Sequence, residues 1–289
     1  MSINIGIRAH DVSEHTLNHL FSVTANYGFN NVQFAPFKFL PKKLITDSSQ
    51  YSPGLLTMID QKFKEAGVKI SVLGNYVNMI DYNSIIRDKN LQSYQNSLVA
   101  EKFLHAAVVG SETGSVLSPN GYTPHNFTDS ALLRVIDSVK QITSAAEKLG
   151  ALFAIEPGIN HPLYDNYAVR RVLDAVDSPN LFVIFDLANL ISKDNYKDQG
   201  TILSEAARLY GPQICTFHLK DVDFINGQKV TVPFGSGIID VDRYISFINQ
   251  LKPFTFATFE ATKENQLDSA LAVFHQAEKK SKAIIKALQ

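Results

Sequence analysis

A chain of 289 residues with 45% hydrophobic side chains can bury a large core, and an α/β barrel commonly uses about 250 residues as one domain. The 27 basic and 28 acidic residues give a net charge of −1. So small a net charge excludes an overall electrostatic field that would attract nucleic acid or anionic membranes. The single cysteine excludes an intrachain disulfide, and no leader or apolar run of roughly 18 residues is present. We therefore expect a soluble, cytoplasmic protein with small-molecule partners and no nucleic-acid or membrane partner.

Apolar runs alternate with stretches of helical period along the whole chain, as is typical of βα units around a parallel sheet. The predicted strands are 4–8, 31–35, 69–73, 106–109, 152–156, 182–186, 215–219 and 255–260. The predicted helices lie near 14–27, 54–66, 91–105, 128–149, 165–176, 200–210, 240–251 and 266–287. This pattern predicts a single-domain (β/α)₈ TIM barrel over residues 1–289. A doubly wound open sheet is the alternative, but no G-x-G-x-x-G motif follows the first strand.

Four of the predicted strands end in a side chain that can bind a metal, namely Glu156, Asp186, His218 and Glu260. The carboxyl ends of parallel strands meet at one rim of a barrel, so these side chains can converge. Three carboxylates and one imidazole suit a single divalent cation such as Mn²⁺, Mg²⁺, Co²⁺ or Zn²⁺. Taken singly, a strand-end carboxylate is equally well explained as the cap of the next helix.

This ligand set, together with the segment from Pro233 to Asp240, resembles the xylose isomerase-like barrel superfamily, in its branch of sugar and sugar-phosphate isomerases and epimerases. The resemblance covers essentially the whole chain and includes a Pro-Gly-x-Gly-like turn after the seventh strand. It implies one Mn²⁺-type ion bound by the four strand-end residues, with Glu156 and Glu260 also exchanging protons with the substrate. Gly235 and Gly237 either permit the tight turn or let backbone N–H groups approach an anion such as a substrate phosphate.

Two positions depart from the pattern of the ketose 3-epimerases in this superfamily. Asn189 stands where a substrate-contacting histidine is usual, and Phe224 stands where an arginine is usual. Asparagine donates and accepts hydrogen bonds but cannot take up a proton, so the substrate pocket differs. The residues expected to line it are Arg8, His10, Asn75, Glu112, Asn160, His161, Asn189 and Lys220. For Glu112 three roles stay open: a substrate ligand, an additional acid, or a buried partner of Arg8.

The leading hypothesis is a metal-dependent sugar or sugar-phosphate isomerase or epimerase that removes a proton α to a carbonyl through a metal-stabilised enediolate. The resemblance also permits an inosose dehydratase-like lyase. An AP endonuclease-like hydrolase fits less well, since that pattern needs histidine or aspartate at Asn189, Thr231 and Pro233. A non-catalytic carbohydrate-binding barrel is a further alternative, but the retention of both glutamates argues against it. Barrels of this superfamily often form homodimers or homotetramers.

Overall fold

The computed structural model describes residues 3–117 and 121–288, with side chains described through residue 283. Eight parallel strands close into a barrel in the order β1-β10-β7-β6-β5-β4-β3-β2. These strands are β1 (Asn4–Arg8), β2 (Asn31–Phe34), β3 (Lys69–Gly74), β4 (Val109–Glu112), β5 (Phe153–Glu156), β6 (Leu181–Phe185), β7 (Ile214–Leu219) and β10 (Phe256–Phe259). Strands β8 (Asp221–Ile225) and β9 (Gln228–Val232) form a separate antiparallel hairpin.

Helices connect the barrel strands and pack around them. They are α1 (Leu17–Tyr27), α2 (Pro36–Phe39), α3 (Pro53–Ala66), α4 (Ser84–Leu104), α5 (Asp129–Leu149), α6 (Asn166–Val176), α7 (Leu187–Leu190), α8 (Gln199–Tyr210), α9 (Val241–Leu251) and α10 (Leu267–Leu288). The predicted (β/α)₈ TIM barrel is therefore confirmed. In the described part of the chain, no helix has the length and apolar character needed to cross a membrane.

The barrel interior is filled by a small apolar cluster that lies below the rim. Val72, Val108, Ala154 and Ile184 form this cluster, apart from the larger core between the strands and the helices. A Cβ atom on Gly110 would lie 2.5 Å from the Cδ1 atom of Ile184, so this position in β4 has no room for a side chain. Side chains alternate in direction along a strand, so the residues two positions beyond Ala154 and Ile184 also face inward, at the level of the rim.

Several boundaries differ from those predicted, and two of the differences have a clear local cause. Strand β4 begins at Val109, where the predicted strand 106–109 ends, because Gly110, Ser111 and Glu112 pair with the residues of β5. Glycine and serine are depleted in strands, so this segment resembles a loop in the sequence. Helix α4 begins at Ser84 and not near residue 91, because the side chain of Asn83 accepts hydrogen bonds from the first free N–H groups of the helix.

The hairpin β8–β9 was not among the predicted elements, although its turn carries a recognisable signal. Asn226 and Gly227 both have positive φ angles, 50° and 75°, as expected for an Asn-Gly hairpin turn. The carboxylate of Asp221, at the start of β8, accepts hydrogen bonds from the backbone N–H groups of Val222, Gly235, Gly237 and Ile239 at 2.8–3.1 Å. The N–H groups of Gly235 and Gly237 thus donate to a carboxylate of the protein itself. This favours a role for the two glycines in a tight turn over a role in binding a substrate phosphate.

Replacing Asp221 by alanine is expected to lower the free energy of unfolding by about 3 kcal/mol, because four backbone N–H groups lose a charged acceptor beneath the hairpin. Urea unfolding followed by circular dichroism measures this change. Asp223→Ala is the matched control, since Asp223 lies half-buried on the same strand and, among the described residues, its side chain accepts a hydrogen bond only from Phe224 N. Equal losses in the two variants would contradict the role assigned to Asp221.

Glu101 on α4 gives the fold a specific pH dependence. Its buried carboxylate accepts the backbone N–H of Leu152, and burial raises the pKa of Glu101 to about 7, against this hydrogen bond. A carboxyl whose pKa is raised by folding stabilises the fold below its ordinary pKa and loses that contribution as the pH rises through the higher value. The free energy of unfolding of wild type relative to Glu101→Gln is therefore expected to fall between pH 5 and about 8. Urea unfolding of wild type and Glu101→Gln at about pH 5 and about pH 8 measures this change. If the difference in free energy of unfolding between the two proteins is the same at both pH values, the prediction is contradicted.

Candidate metal centre

Four strand-end side chains meet inside the carboxyl rim of the barrel. Glu156 ends β5, Asp186 follows β6, His218 lies near the end of β7, and Glu260 follows β10. One potential ligand atom from each residue can be chosen so that all four atoms lie within 4.8 Å of one another. All four residues are at most 7% exposed. This cluster can hold one metal ion.

Unpartnered atoms in the cluster fit a cation. Asp186 Oδ2 is buried and has no hydrogen-bond partner in the described part of the chain, and neither has His218 Nε2. Asp186 Oδ1 accepts the backbone N–H of Asn189 at 3.2 Å, so the same carboxylate caps α7, while its Oδ2 atom lies 3.8 Å from Lys220 Nζ, too far for a hydrogen bond. Capping and metal ligation are therefore compatible at this position. A buried carboxylate oxygen without a donor is costly unless a cation or water satisfies it.

His218 lies between the two glutamates. Its Nδ1 atom is 3.0 Å from Glu156 Oε1 and 2.8 Å from Glu260 Oε2. Burial alone would lower the pKa of His218, but the two carboxylates raise it well above its ordinary value. His218 thus lies where two carboxylates favour positive charge.

The two glutamates have different electrostatic surroundings. Burial raises the pKa of Glu156 to about 7, although the nearby His218 opposes this shift. Burial acts in the same direction on Glu260, but Lys220, His218 and Arg8 together hold the pKa of Glu260 well below its ordinary value. Glu260 is therefore the more firmly ionised carboxylate of the pair when no metal is bound.

Lys220 and Asn189 link the two glutamates. Lys220 Nζ donates to Asn189 Oδ1 at 3.0 Å and to Glu260 Oε1 at 3.2 Å. The amide of Asn189 in turn donates to Glu156 Oε1 at 2.8 Å. The asparagine that replaces the expected histidine is thus held in one orientation by a lysine, and it contacts a candidate metal ligand directly.

Arg8 also reaches Glu260, from the first strand of the barrel. Its Nη1 atom donates to Glu260 Oε1 at 2.6 Å, and its Nε and Nη2 atoms each donate to the carboxylate of Asp11 at 2.8 Å. Burial opposes the charge of the guanidinium, but Glu260 and Asp11 raise the pKa of Arg8. Arg8 is therefore bound between two carboxylates.

Glu112 does not pair with Arg8, so that alternative for its role is wrong. Its Oε2 atom lies 3.6 Å from Nε2 of His161, and Nδ1 of His161 contacts the backbone oxygen of Gly114 at 2.8 Å. Burial would lower the pKa of His161, but Glu112 raises it, and His161 lowers the pKa of Glu112 against the effect of burial. The Glu112 side chain is 40% exposed, so it stays accessible to a substrate.

In the described part of the chain, the other predicted lining residues form no hydrogen bond with the four clustered residues. Asn75 is fully buried, and its Oδ1 atom accepts from Ser93 Oγ at 3.1 Å. Asn160 is exposed, and its backbone oxygen accepts from the side chain of Asn126. His10 lines a separate cavity of about 620 Å³, which includes Asp11 but none of the four strand-end residues. Substrate binding by these three residues stays a prediction.

Some side chains that were not predicted as site residues also contact the cluster, either directly or through a neighbour. The hydroxyl of Tyr76 donates a hydrogen bond to Glu156 Oε2 at 3.4 Å. The same hydroxyl accepts a hydrogen bond from the side-chain amide of Gln33. Lys38 Nζ lies 4.7 Å from the centre of the Tyr76 ring. The polar Gln33 in the otherwise apolar end of β2 was the sequence feature that could have indicated these contacts.

The chain matches the family model described as xylose isomerase-like TIM barrel over residues 21–283. A search of curated proteins found no match. Among solved structures, an L-ribulose 3-epimerase has a TM-score of 0.76 and 13% identity, covering 100% of this chain and 98% of the epimerase. The probable 3-DHS dehydratase AsbF of Bacillus anthracis has a TM-score of 0.72 and 13% identity, covering 95% of this chain and 99% of AsbF. The IOLI protein with a bound zinc atom has a TM-score of 0.71 and 14% identity, covering 98% of each chain.

Proposed function

This chain belongs to the xylose isomerase-like TIM barrel family, and from that premise we propose that it is a divalent-metal-dependent isomerase or epimerase of a sugar or sugar phosphate. The observation that carries the proposal is the convergence of Glu156, Asp186, His218 and Glu260 in one buried cluster. The epimerase among the structural relatives supports the substrate class, and the zinc in the IOLI protein supports metal binding by this fold.

In this proposal the four clustered side chains hold one divalent ion. Their donor set of three carboxylates and one imidazole suits Mn²⁺, the ion to test first, and also Mg²⁺, Co²⁺ or Zn²⁺. When bound, such an ion supplies Lewis acidity that stabilises the negative charge developing on the carbonyl oxygen of the substrate. An ion held by His218 would require the neutral imidazole, so its binding would release the proton that the neighbouring carboxylates favour by raising the pKa of His218.

The proton transfers are assigned to the two glutamates. Glu156 and Glu260 come from the ends of different strands, and their carboxylates lie 3.0 Å and 2.8 Å from Nδ1 of His218. One glutamate removes the proton α to the carbonyl, and a protonated carboxyl returns a proton to the opposite face or to the adjacent carbon. Asn189 and Lys220, which contact Glu156 and Glu260, are placed to bind substrate hydroxyl groups beside them.

The proposal is tested by solvent exchange. The protein is loaded with Mn²⁺, freed of excess metal and incubated in D₂O with a panel of ketoses, aldoses and their phosphates. The expected result is deuterium incorporation at the carbon α to the carbonyl of at least one sugar, seen by NMR, and its loss after chelation of the metal. Loss of water from the substrate would instead identify a dehydratase. Failure to bind about one equivalent of any of these divalent ions would overturn the metal-dependent reaction itself.

A further inference from the structure

Asp11 is a buried carboxylate at the rim that none of the proposed chemistry uses. It lies in the 3₁₀ turn Ala9–Asp11, directly after β1, and its side chain is only 10% exposed. Its two oxygens accept from two different nitrogens of the Arg8 guanidinium, both at 2.8 Å. This paired geometry fixes both the position and the plane of the guanidinium.

The third nitrogen of the same guanidinium reaches the candidate metal centre. Arg8 Nη1 donates to Glu260 Oε1, which also accepts from Lys220 Nζ. The other oxygen of the carboxylate, Oε2, is left to face His218. Arg8 and Lys220 thus direct one oxygen of Glu260 outward and the other toward the ligand cluster.

Asp11 contacts the backbone beside Glu260 as well. Its Oδ2 atom accepts the N–H of Ala261 at 2.8 Å. Ala261 has a φ of 57°, in the left-handed region that a residue with a Cβ atom rarely adopts. A carboxylate from the turn after the first strand therefore binds the turn that immediately follows Glu260.

We propose that Asp11 is a positioning residue for Glu260, holding its carboxylate in place through Arg8. The proposal rests on the proposed function in one respect, namely that Glu260 is a metal ligand. Groups that orient a metal ligand typically change metal affinity by about 10–100-fold when removed. Without Asp11, Arg8 is no longer held in plane or neutralised, and its charge then competes with the cation for Glu260.

The test is Mn²⁺ binding by isothermal titration calorimetry to wild type, Asp11→Asn, Arg8→Gln and the double variant. Asp11→Asn is expected to weaken binding by about tenfold with its melting temperature largely retained. The double variant is expected to bind no more weakly than Arg8→Gln alone, because the two residues act through one another. Asp242→Asn is the matched control, since this exposed carboxylate also pairs with one cation, Lys280.

A second variant separates positioning from maintenance of the turn. Ala261→Gly removes the backbone strain at the positive φ, so in the Asp11→Asn background it stabilises the turn without restoring the hold on Arg8. Metal affinity is expected to stay low in this combination. Full restoration of affinity by Ala261→Gly, or wild-type affinity in Asp11→Asn, would overturn the proposal while leaving the metal centre intact. Absence of Mn²⁺ binding in wild type would instead remove its premise.

Discussion

Replacing Glu156 by glutamine is expected to lower turnover by about 10³-fold or more, because an amide cannot accept the proton that this carboxylate is proposed to transfer. Glutamine has nearly the same volume and keeps an oxygen that can accept from Asn189 and bind a cation. The measurement is the rate of deuterium incorporation from D₂O into whichever sugar the wild-type protein turns over. The melting temperature of the same samples is expected to remain close to wild type. Because an amide binds a divalent ion more weakly than a carboxylate does, the two proteins are compared at Mn²⁺ concentrations that give them equal metal content.

The matched control for this variant is Glu65→Gln, which removes an exposed carboxylate that pairs with Lys62 on α3. Its exchange rate is expected to equal that of wild type. Glu260→Gln is expected to lose turnover as well, and to bind metal more weakly because its contacts with Arg8 and Lys220 are altered. Wild-type turnover in Glu156→Gln or Glu260→Gln would exclude the two-glutamate proton transfer.

Replacing His218 by alanine is expected to weaken Mn²⁺ binding by at least about 100-fold, since removing a group that only orients a ligand already weakens binding by about 10–100-fold. In wild type, the raised pKa of His218 makes the proton a competitor of the cation. Apparent Mn²⁺ affinity of wild type is therefore expected to fall as the pH is lowered, with proton release on binding. Calorimetry in two buffers of different ionisation enthalpy measures both the affinity and the released protons.

His275→Ala is the control for loss of an imidazole, because His275 is exposed on α10, which begins after Glu260. Removal of His218 also leaves buried carboxylates facing one another, so Asp186→Asn serves as a second ligand variant if His218→Ala does not fold. Both ligand variants are expected to lose about one equivalent of bound metal under conditions that saturate wild type. Unchanged metal content in both would show that the cluster is not a metal site.

The fold and the four-residue cluster were predictable because their signals are local. The runs before Glu156 and Asp186 consist of apolar and aromatic residues, and a strand places every second side chain on the same face. Parallel strands then bring their final residues to one rim without any knowledge of long-range contacts. The same local reasoning failed for β4, where Gly110 is required by the packing of Ile184 from another strand and not by its neighbours in sequence.

The contacts around the cluster could not be derived in this way. Asp11 and Ala261 are 250 positions apart, and no spacing rule connects a turn after the first strand with a turn after the last. The pairing of Glu112 with His161 is similar, since the sequence offered Arg8 as one partner of Glu112 and gave no signal for His161. Asn226-Gly227 is a different case, because its hairpin signal is local and the hairpin β8–β9 was predictable from it.

Closure of the barrel by β1 and β10 also determines when the centre can form during protein synthesis. Arg8 and Glu260 are separated by 252 positions, and β10 pairs with both β1 and β7. A ribosome adds about 5–20 residues per second, so Glu156, Asp186 and His218 leave it several seconds before Glu260 does. During that interval the growing chain carries an incomplete set of ligands beside unpaired strand edges. A metal centre of the proposed kind would therefore be complete only after β10 has been synthesised, and an ion bound there would favour the closed barrel over every shorter intermediate.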